Sequence, residues 1–311
     1  MPNGPEGTSR PTSPDTHLAQ AGVYPSALSI VGAVASQAVL FTALLYYFGW
    51  AYSRAYYGHF GVDLSIVEYD TRDYVLRSVS ATFWPAVRTL LVIIVLLSMH
   101  RVLVLPFLDG EPSPRLQLRR QVAMAAVYGA GIALLVVVIT GLIFPSVGGP
   151  VDIYIPLMLI AGVALLGYAG LLQSMYRIQL TRTLPTARKD LSPLPQILVL
   201  LGLGFLGCFW AVGLYGDHRG HDDATNSAAH LAAHTSVVVF SVDKLAIEGT
   251  GQAEAALPAG GKYGYMYSGL LLLTRTPDAY LLLPQQWQQR RDRVFLVPEG
   301  DDIRIDIAVN P

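Results

Sequence analysis

Charge is what this sequence has least of. Acidic and basic residues make up 14% of its 311 positions, against about 25% in an ordinary soluble domain. Twenty-one basic and 22 acidic residues leave a net charge of −1, so no long-range field attracts nucleic acid. The one cysteine, Cys208, excludes an intrachain disulfide and a multi-cysteine metal site. A basic stretch ahead of the first apolar run is also missing, which argues against a secretory signal peptide. In its place stand Pro2, Pro5, Pro11, Pro14 and Pro25 among Gly, Ser and Thr, which predict a disordered leader over 1–25.

Apolar residues are plentiful, at 52% of the chain with a mean hydropathy of +0.43. A bilayer core about 30 Å thick takes ~20 apolar helical residues. Five runs meet or approach that length: 26–50, 83–107, 122–144, 153–175 and 197–215. The second is the weakest, because Arg88, His100 and Arg101 interrupt it. The expected class is therefore an all-α bundle of five membrane-spanning helices over 26–217, in contact with the lipid bilayer.

Lysine and arginine in short loops set orientation. Arg115, Arg119 and Arg120 follow span two, and Arg177, Arg182, Arg188 and Lys189 follow span four, whereas 145–152 has no basic residue. With Arg10 and Arg101 this puts nine basic residues on one side, read as cytoplasmic. Three, Arg54, Arg72 and Arg77, fall on the other. The N-terminus is then inside and the C-terminal tail outside. Removing span two would put the two basic links on opposite faces, so the same rule supports it.

Transport sites need polar groups near the midplane. Ser36, Gln37 and Thr140 are the whole central inventory, and no acid lies inside a span. Small residues at four-residue spacing predict helix seams at Ala125–Gly129–Ala133, Gly170–Ser174 and Gly207–Ala211. Arg88 is the candidate intramembrane charge site. Either it snorkels to the headgroups, or it pairs inside the bundle with Asp63, Glu68, Asp70 or Asp73.

The link after span one is dense in aromatics: Tyr46, Tyr47, Trp50, Tyr52, Tyr56, Tyr57 and Phe60. An interfacial belt is the expected role. Gly61 permits a sharp turn, and Asp70 or Thr71 caps a predicted short helix over 72–80. Residues 47–80, YFGWAYSRAYYGHFGVDLSIVEYDTRDYVLRSVS, resemble a recurring segment of uncharacterised actinobacterial multi-pass membrane proteins. Ser236-Val237-Val238-Val239-Phe240-Ser241, Tyr280-Leu281-Leu282-Leu283-Pro284 and Asp302-Ile303-Arg304-Ile305 are similar to pieces of the same family. The resemblance implies a bacterial plasma membrane, and brings no activity and no catalytic residues.

Residues 218–234 read as a helical stalk carrying His218, His221, His230 and His234. His230 and His234 have the i, i+4 spacing of a helix-borne metal pair. On one straight helix the pair His218/His221 faces the other way, so the four are weak metal candidates unless Gly220 breaks the helix. The alternative is a solvated stalk with incidental histidines.

The tail, 235–311, predicts a small all-β domain, a barrel or sandwich. Candidate strands are 237–241, 245–248, 263–267, 270–275, 279–283, 294–297 and 303–308, with turn residues between them. Such a small domain is marginal alone and is expected to dock on the outer link or on a second copy. Ser236, Ser241 and Ser268 lie in no nucleophile-elbow pattern, and Glu248, Glu254, Glu299, Asp301 and Asp302 fall mostly in turns. No catalytic set, cofactor motif or nucleic-acid patch is evident. The expected function is non-enzymatic binding, sensing or scaffolding through the β domain, with an envelope component, a protein or a second copy as partner. The alternative is an oligomeric pore or small transporter.

Overall fold

The computed structural model describes residues 27–104, 114–144, 153–181 and 194–308. The leader 1–25, the turn 145–152 and, within the basic links, 105–113 and 182–193 lie outside the described residues. Residues 1–41 and 42–311 are separate units, each described by itself. The described part of the first is the start of helix α1, with exposed apolar side chains such as Val34, Val39 and Phe41.

Six α-helices precede the sheet: α1 (Ala27–His59), α2 (Leu64–Val67), α3 (Thr71–Met99), α4 (Pro114–Ile143), α5 (Tyr154–Thr181) and α6 (Leu194–Ala229). Five are long and apolar enough to cross a membrane, over Val34–His59, Ala81–Val102, Leu118–Ile143, Tyr154–Ser174 and Leu194–Ala229. The chain is a multi-pass membrane protein in contact with the lipid bilayer.

Two boundaries differ from expectation. The predicted short helix over 72–80 and span two are one helix, α3. Its start is fixed by Asp73, whose carboxylate accepts the Asp70 N–H at 3.0 Å. Pro85 lies inside it and removes one ladder bond, which a membrane helix tolerates. A π-helical turn (His100–Val104) follows, and His100 Nδ1 meets the Tyr168 hydroxyl of α5 at 2.7 Å. Span five and the stalk are also one helix, α6, of 36 residues. Gly220 does not break it, because the glycine is used for close approach.

Helix α6 packs on the C-terminal half of α1 through Gly213, Gly216 and Gly220. A Cβ on Gly213 would lie 2.8 Å from the Tyr47 hydroxyl, and one on Gly216 3.0 Å from the Phe48 carbonyl oxygen. On Gly220 it would lie 2.3 Å from the Tyr52 carbonyl oxygen. Helix α3 abuts α1 likewise, with a Gly49 Cβ only 2.0 Å from the Tyr74 carbonyl oxygen. Helices α4 and α5 meet at Gly131 and Gly162, where each added Cβ would be 3.2 Å from the other's carbonyl. Gly207 is tight against Leu159 and Ile160, as its predicted seam requires, but nothing lies within 4 Å of a Cβ on Gly129 or Gly170. Those two seams are not formed among the described residues.

Part of the aromatic run packs inward. Phe48, Tyr57 and Phe60 are buried, and Tyr47 and Phe48 contact Phe209 and Tyr215 of α6.

The tail is one open six-stranded antiparallel sheet: β1 (Ser236–Ser241), β2 (Ala253–Ala256), β3 (Tyr265–Arg275), β4 (Ala279–Pro284), β5 (Phe295–Pro298) and β6 (Ile303–Ala308). The order is β5-β4-β3-β1-β6, with β2 paired to the first part of β3. Two predicted strands merge into β3, and Gly269 joins them at φ +74°. A Cβ there would be 2.1 Å from the Gly251 carbonyl oxygen. Predicted strand 245–248 is irregular. The Leu245 N–H donates to the Tyr267 hydroxyl at 2.7 Å, and that hydroxyl donates back to the Leu245 carbonyl at 3.1 Å.

The sheet does not close into the expected barrel or sandwich because its two faces are already covered. Leu271, Leu281 and Leu283 on one face pack with Trp287 against Tyr57, Phe60, Val62, Val67 and Ala224 of α1, the link and α6. Val237, Val239, Leu270, Leu282 and, from β5, Val297 on the other pack with Ile247 of the irregular segment after β1. Docking on the link after span one, one of the two expected modes, is the arrangement within the chain.

Candidate functional site

Near the C-terminal end of α1, still within the stretch Val34–His59, two tyrosines one turn apart face α6. Tyr52 donates its hydroxyl proton to Asp223 Oδ2 at 3.1 Å, and the Tyr56 hydroxyl meets Ser227 Oγ at 3.1 Å. Both pairs are 171 residues apart in sequence, so the two helices run in the same direction. Arg219 pairs with Asp223 at 3.2 Å from the preceding turn. Ser227 Oγ also meets His234 Nε2 at 2.8 Å, which ties the helix to the start of β1.

These groups line an open groove of about 660 Å³ between α1, the end of α6, the 3₁₀ turn (Leu231–Ala233) and the sheet. Asn226, His230 and Thr235 complete its polar lining, and Ala233 and Leu272 are its apolar members. None of the ten lining residues is lysine or arginine.

The histidines lie at separate places. Helix α6 ends at Ala229, so His230 and His234 do not share a helix face as their spacing predicted. His230 Nδ1 meets the Asn226 carbonyl at 2.9 Å, and His218 Nδ1 meets the Leu214 carbonyl at 2.8 Å. The His221 ring centroid is 5.3 Å from that of His59. Among the described residues no group of three or more His, Cys, Asp or Glu side chains is arranged to hold a metal ion.

Arg88 is exposed on α3 and makes no ion pair among the described residues. Its four candidate partners have local positions. Asp63 accepts from the backbone and hydroxyl of Ser65 at 2.8 and 2.6 Å, which holds its carboxyl below the usual range. Asp70 and Asp73 form the start of α3, and Glu68 ends α2 in the left-handed region at φ +52°.

Near the same junction the Tyr57 and Tyr69 hydroxyls share a short hydrogen bond, with Arg77 lying 4.5 Å over the Tyr69 ring. Burial, and then the neighbouring Tyr57, push the Tyr69 hydroxyl above the ordinary tyrosine range. Thr276, in the β3–β4 turn, is buried and exchanges hydrogen bonds with Ala279.

Tyr52, Tyr56, Asp223, Asn226 and Ser227 were not singled out together from the sequence. Matching i, i+4 polar pairs on two distant helices are the signal, and it shows only once the helices are known to be neighbours. No family model, curated protein or solved structure matches the chain.

Proposed function

We propose that the chain is a non-enzymatic integral protein of a bacterial plasma membrane that presents its sheet outside the cell as a fixed binding or scaffold module. The observation that carries this is the seat of the sheet. Leu271, Leu281, Leu283 and Trp287 share one buried cluster with Tyr57, Phe60 and Ala224, so the soluble domain has no free hinge to the bundle. The parallel course of α1 and α6 agrees with spans one and five crossing in the same sense, as five alternating spans require. The basic-residue count then gives the side.

One strain background tests both parts. With Cys208→Ala, a single cysteine at exposed Asp301 is expected to react with a membrane-impermeant maleimide in intact cells. A photo-reactive residue at Ile307, 73% exposed on edge strand β6, is expected to give adducts larger than the protomer in native membranes. Labelling only after lysis refutes the topology. Absence of adducts both there and at Leu296 on the opposite edge strand removes the binding role.

A further inference from the structure

We propose that the groove between α1, α6 and the sheet binds a neutral sugar ring, carried by a glycolipid head group or by a free oligosaccharide. The chemistry of the lining selects that class. Its one acidic group, Asp223, is matched by Arg219 at 3.2 Å and by the Tyr52 hydroxyl. The lining holds no lysine or arginine, and the nearby Arg219 is already paired with Asp223, so the lining offers a phosphate or sulfate no uncommitted cation. A metal ion has no second carboxylate. An acyl chain finds only Ala233 and Leu272.

What remains is a wall of mixed donors and acceptors. The Asn226 side chain makes no hydrogen bond among the described residues, so its amide offers both a donor and an acceptor. A carbonyl oxygen only accepts, so His230 Nδ1 must carry the proton it shares with the Asn226 carbonyl. Nε2 of the same ring makes no hydrogen bond among the described residues and is open to a ligand hydroxyl. Side by side, these groups match sugar hydroxyls, each of which both donates and accepts. The remaining wall is held in place beforehand, because Tyr56, Ser227 and His234 are joined by hydrogen bonds across three elements. Tyr52 and Tyr56 stack with centroids 6.1 Å apart and planes 17° from parallel, which fixes where their hydroxyls stand on the wall. A volume near 660 Å³ lies within the range of about 300–1,000 Å³ of small-molecule clefts.

The inference rests on the binding reading above but not on the edge strands as the contact surface. Loss of the Ile307 adducts therefore leaves it standing. The test uses the full chain purified in lauryldimethylamine oxide, whose head group carries no sugar. The probes are immobilised neutral oligosaccharides of glucose, galactose, mannose and arabinose, and vesicles with and without digalactosyl-diacylglycerol. Saturable binding of at least one neutral sugar is expected. Asn226→Ala and His230→Ala are each expected to weaken it by roughly 5–30-fold, the effect of one or two lost hydrogen bonds. Binding only on vesicles identifies a head group, and binding in both formats a free sugar. Asn226→Asp keeps the side-chain shape, and a wild-type melting temperature in that variant separates lost contacts from lost fold. The proposal is overturned if no neutral sugar binds. Undiminished binding in a folded Asn226/His230 double variant overturns it too, as does stronger competition by a phosphate ester or a quaternary amine.

Discussion

Gly220→Ala is the substitution that most directly tests how the soluble and membrane parts are joined. The new methyl would sit 2.3 Å from the Tyr52 carbonyl oxygen and 3.1 Å from the Ala55 methyl. An ordinary C···O contact is about 3.3–3.6 Å, so α1 and α6 must separate by roughly 1 Å. The obstacle is helix backbone and cannot swing aside. Overpacking of this kind costs about 1–3 kcal/mol. The same displacement stretches the Tyr52–Asp223 hydrogen bond from 3.1 Å beyond useful range, a further loss of about 1 kcal/mol. Against this, replacing glycine by alanine inside a helix stabilises it by up to about 1 kcal/mol. The net expectation is a loss of about 1–3 kcal/mol, read as a lower melting temperature of the detergent-solubilised protein. Gly58→Ala is the control, since nothing lies within 4 Å of its Cβ, and it is expected to be neutral or slightly stabilising. In the Gly220→Ala background, Tyr52→Phe should have little further effect, because the bond it removes is already broken. The reasoning is refuted if Gly220→Ala melts with the wild type, or if Gly58→Ala falls as far.

Arg88→Leu is expected to be neutral or stabilising in detergent. Arg88 is exposed and sits within about one helical turn of the middle of the span Ala81–Val102, where leucine inserts better by up to roughly 3 kcal/mol. A clear drop in melting temperature, partly reversed by neutralising Asp63, Glu68, Asp70 or Asp73, would establish an internal pair and favour the permeation reading. Calorimetric titration with zinc should give no nanomolar site, and such a site abolished by His230→Ala with His234→Ala would contradict the placement of those rings. Tyr69 supplies a pH signature. Its folded-state pKa is raised, so its contribution to stability is complete below the ordinary value of about 10 and is lost as pH rises above it. Tyr69→Phe should flatten that alkaline decline, and an unchanged alkaline profile would count against the assigned environment.

Much of this architecture is written in local patterns. The five spans follow from long apolar runs, and β1, β4 and β6 from short β-branched or alternating segments bounded by turns. Other features depend on partners far away in sequence. Gly213, Gly216 and Gly220 look like ordinary glycines until α1 lies against them, whereas Gly129 and Gly170 have the expected spacing but no close neighbour. Ala253–Ala256 has weak strand propensity and pairs because β3 presents a free edge. The Tyr46–Phe60 run has the composition of an interfacial belt, and only the docked sheet and α6 show that Phe48, Tyr57 and Phe60 within it are buried. The groove was the least legible part, since its two tyrosine rungs join positions 171 residues apart. The histidines were conspicuous as a set, but the end of α6 at Ala229 separates them.

Helix α6 also has a mechanical consequence. Its 36 residues span about 54 Å at 1.5 Å per residue, with one end in the bundle and the other under the sheet. A rod of that length acts as a lever. A change in tilt of about 10° around its midpoint displaces each end by roughly 5 Å, and membrane helices adopt tilts over a range of about 0–40°. Changes in bilayer thickness that reorient span five would therefore be delivered to the groove and the sheet. Because Gly213, Gly216 and Gly220 lock this rod to α1, both helices would swing together.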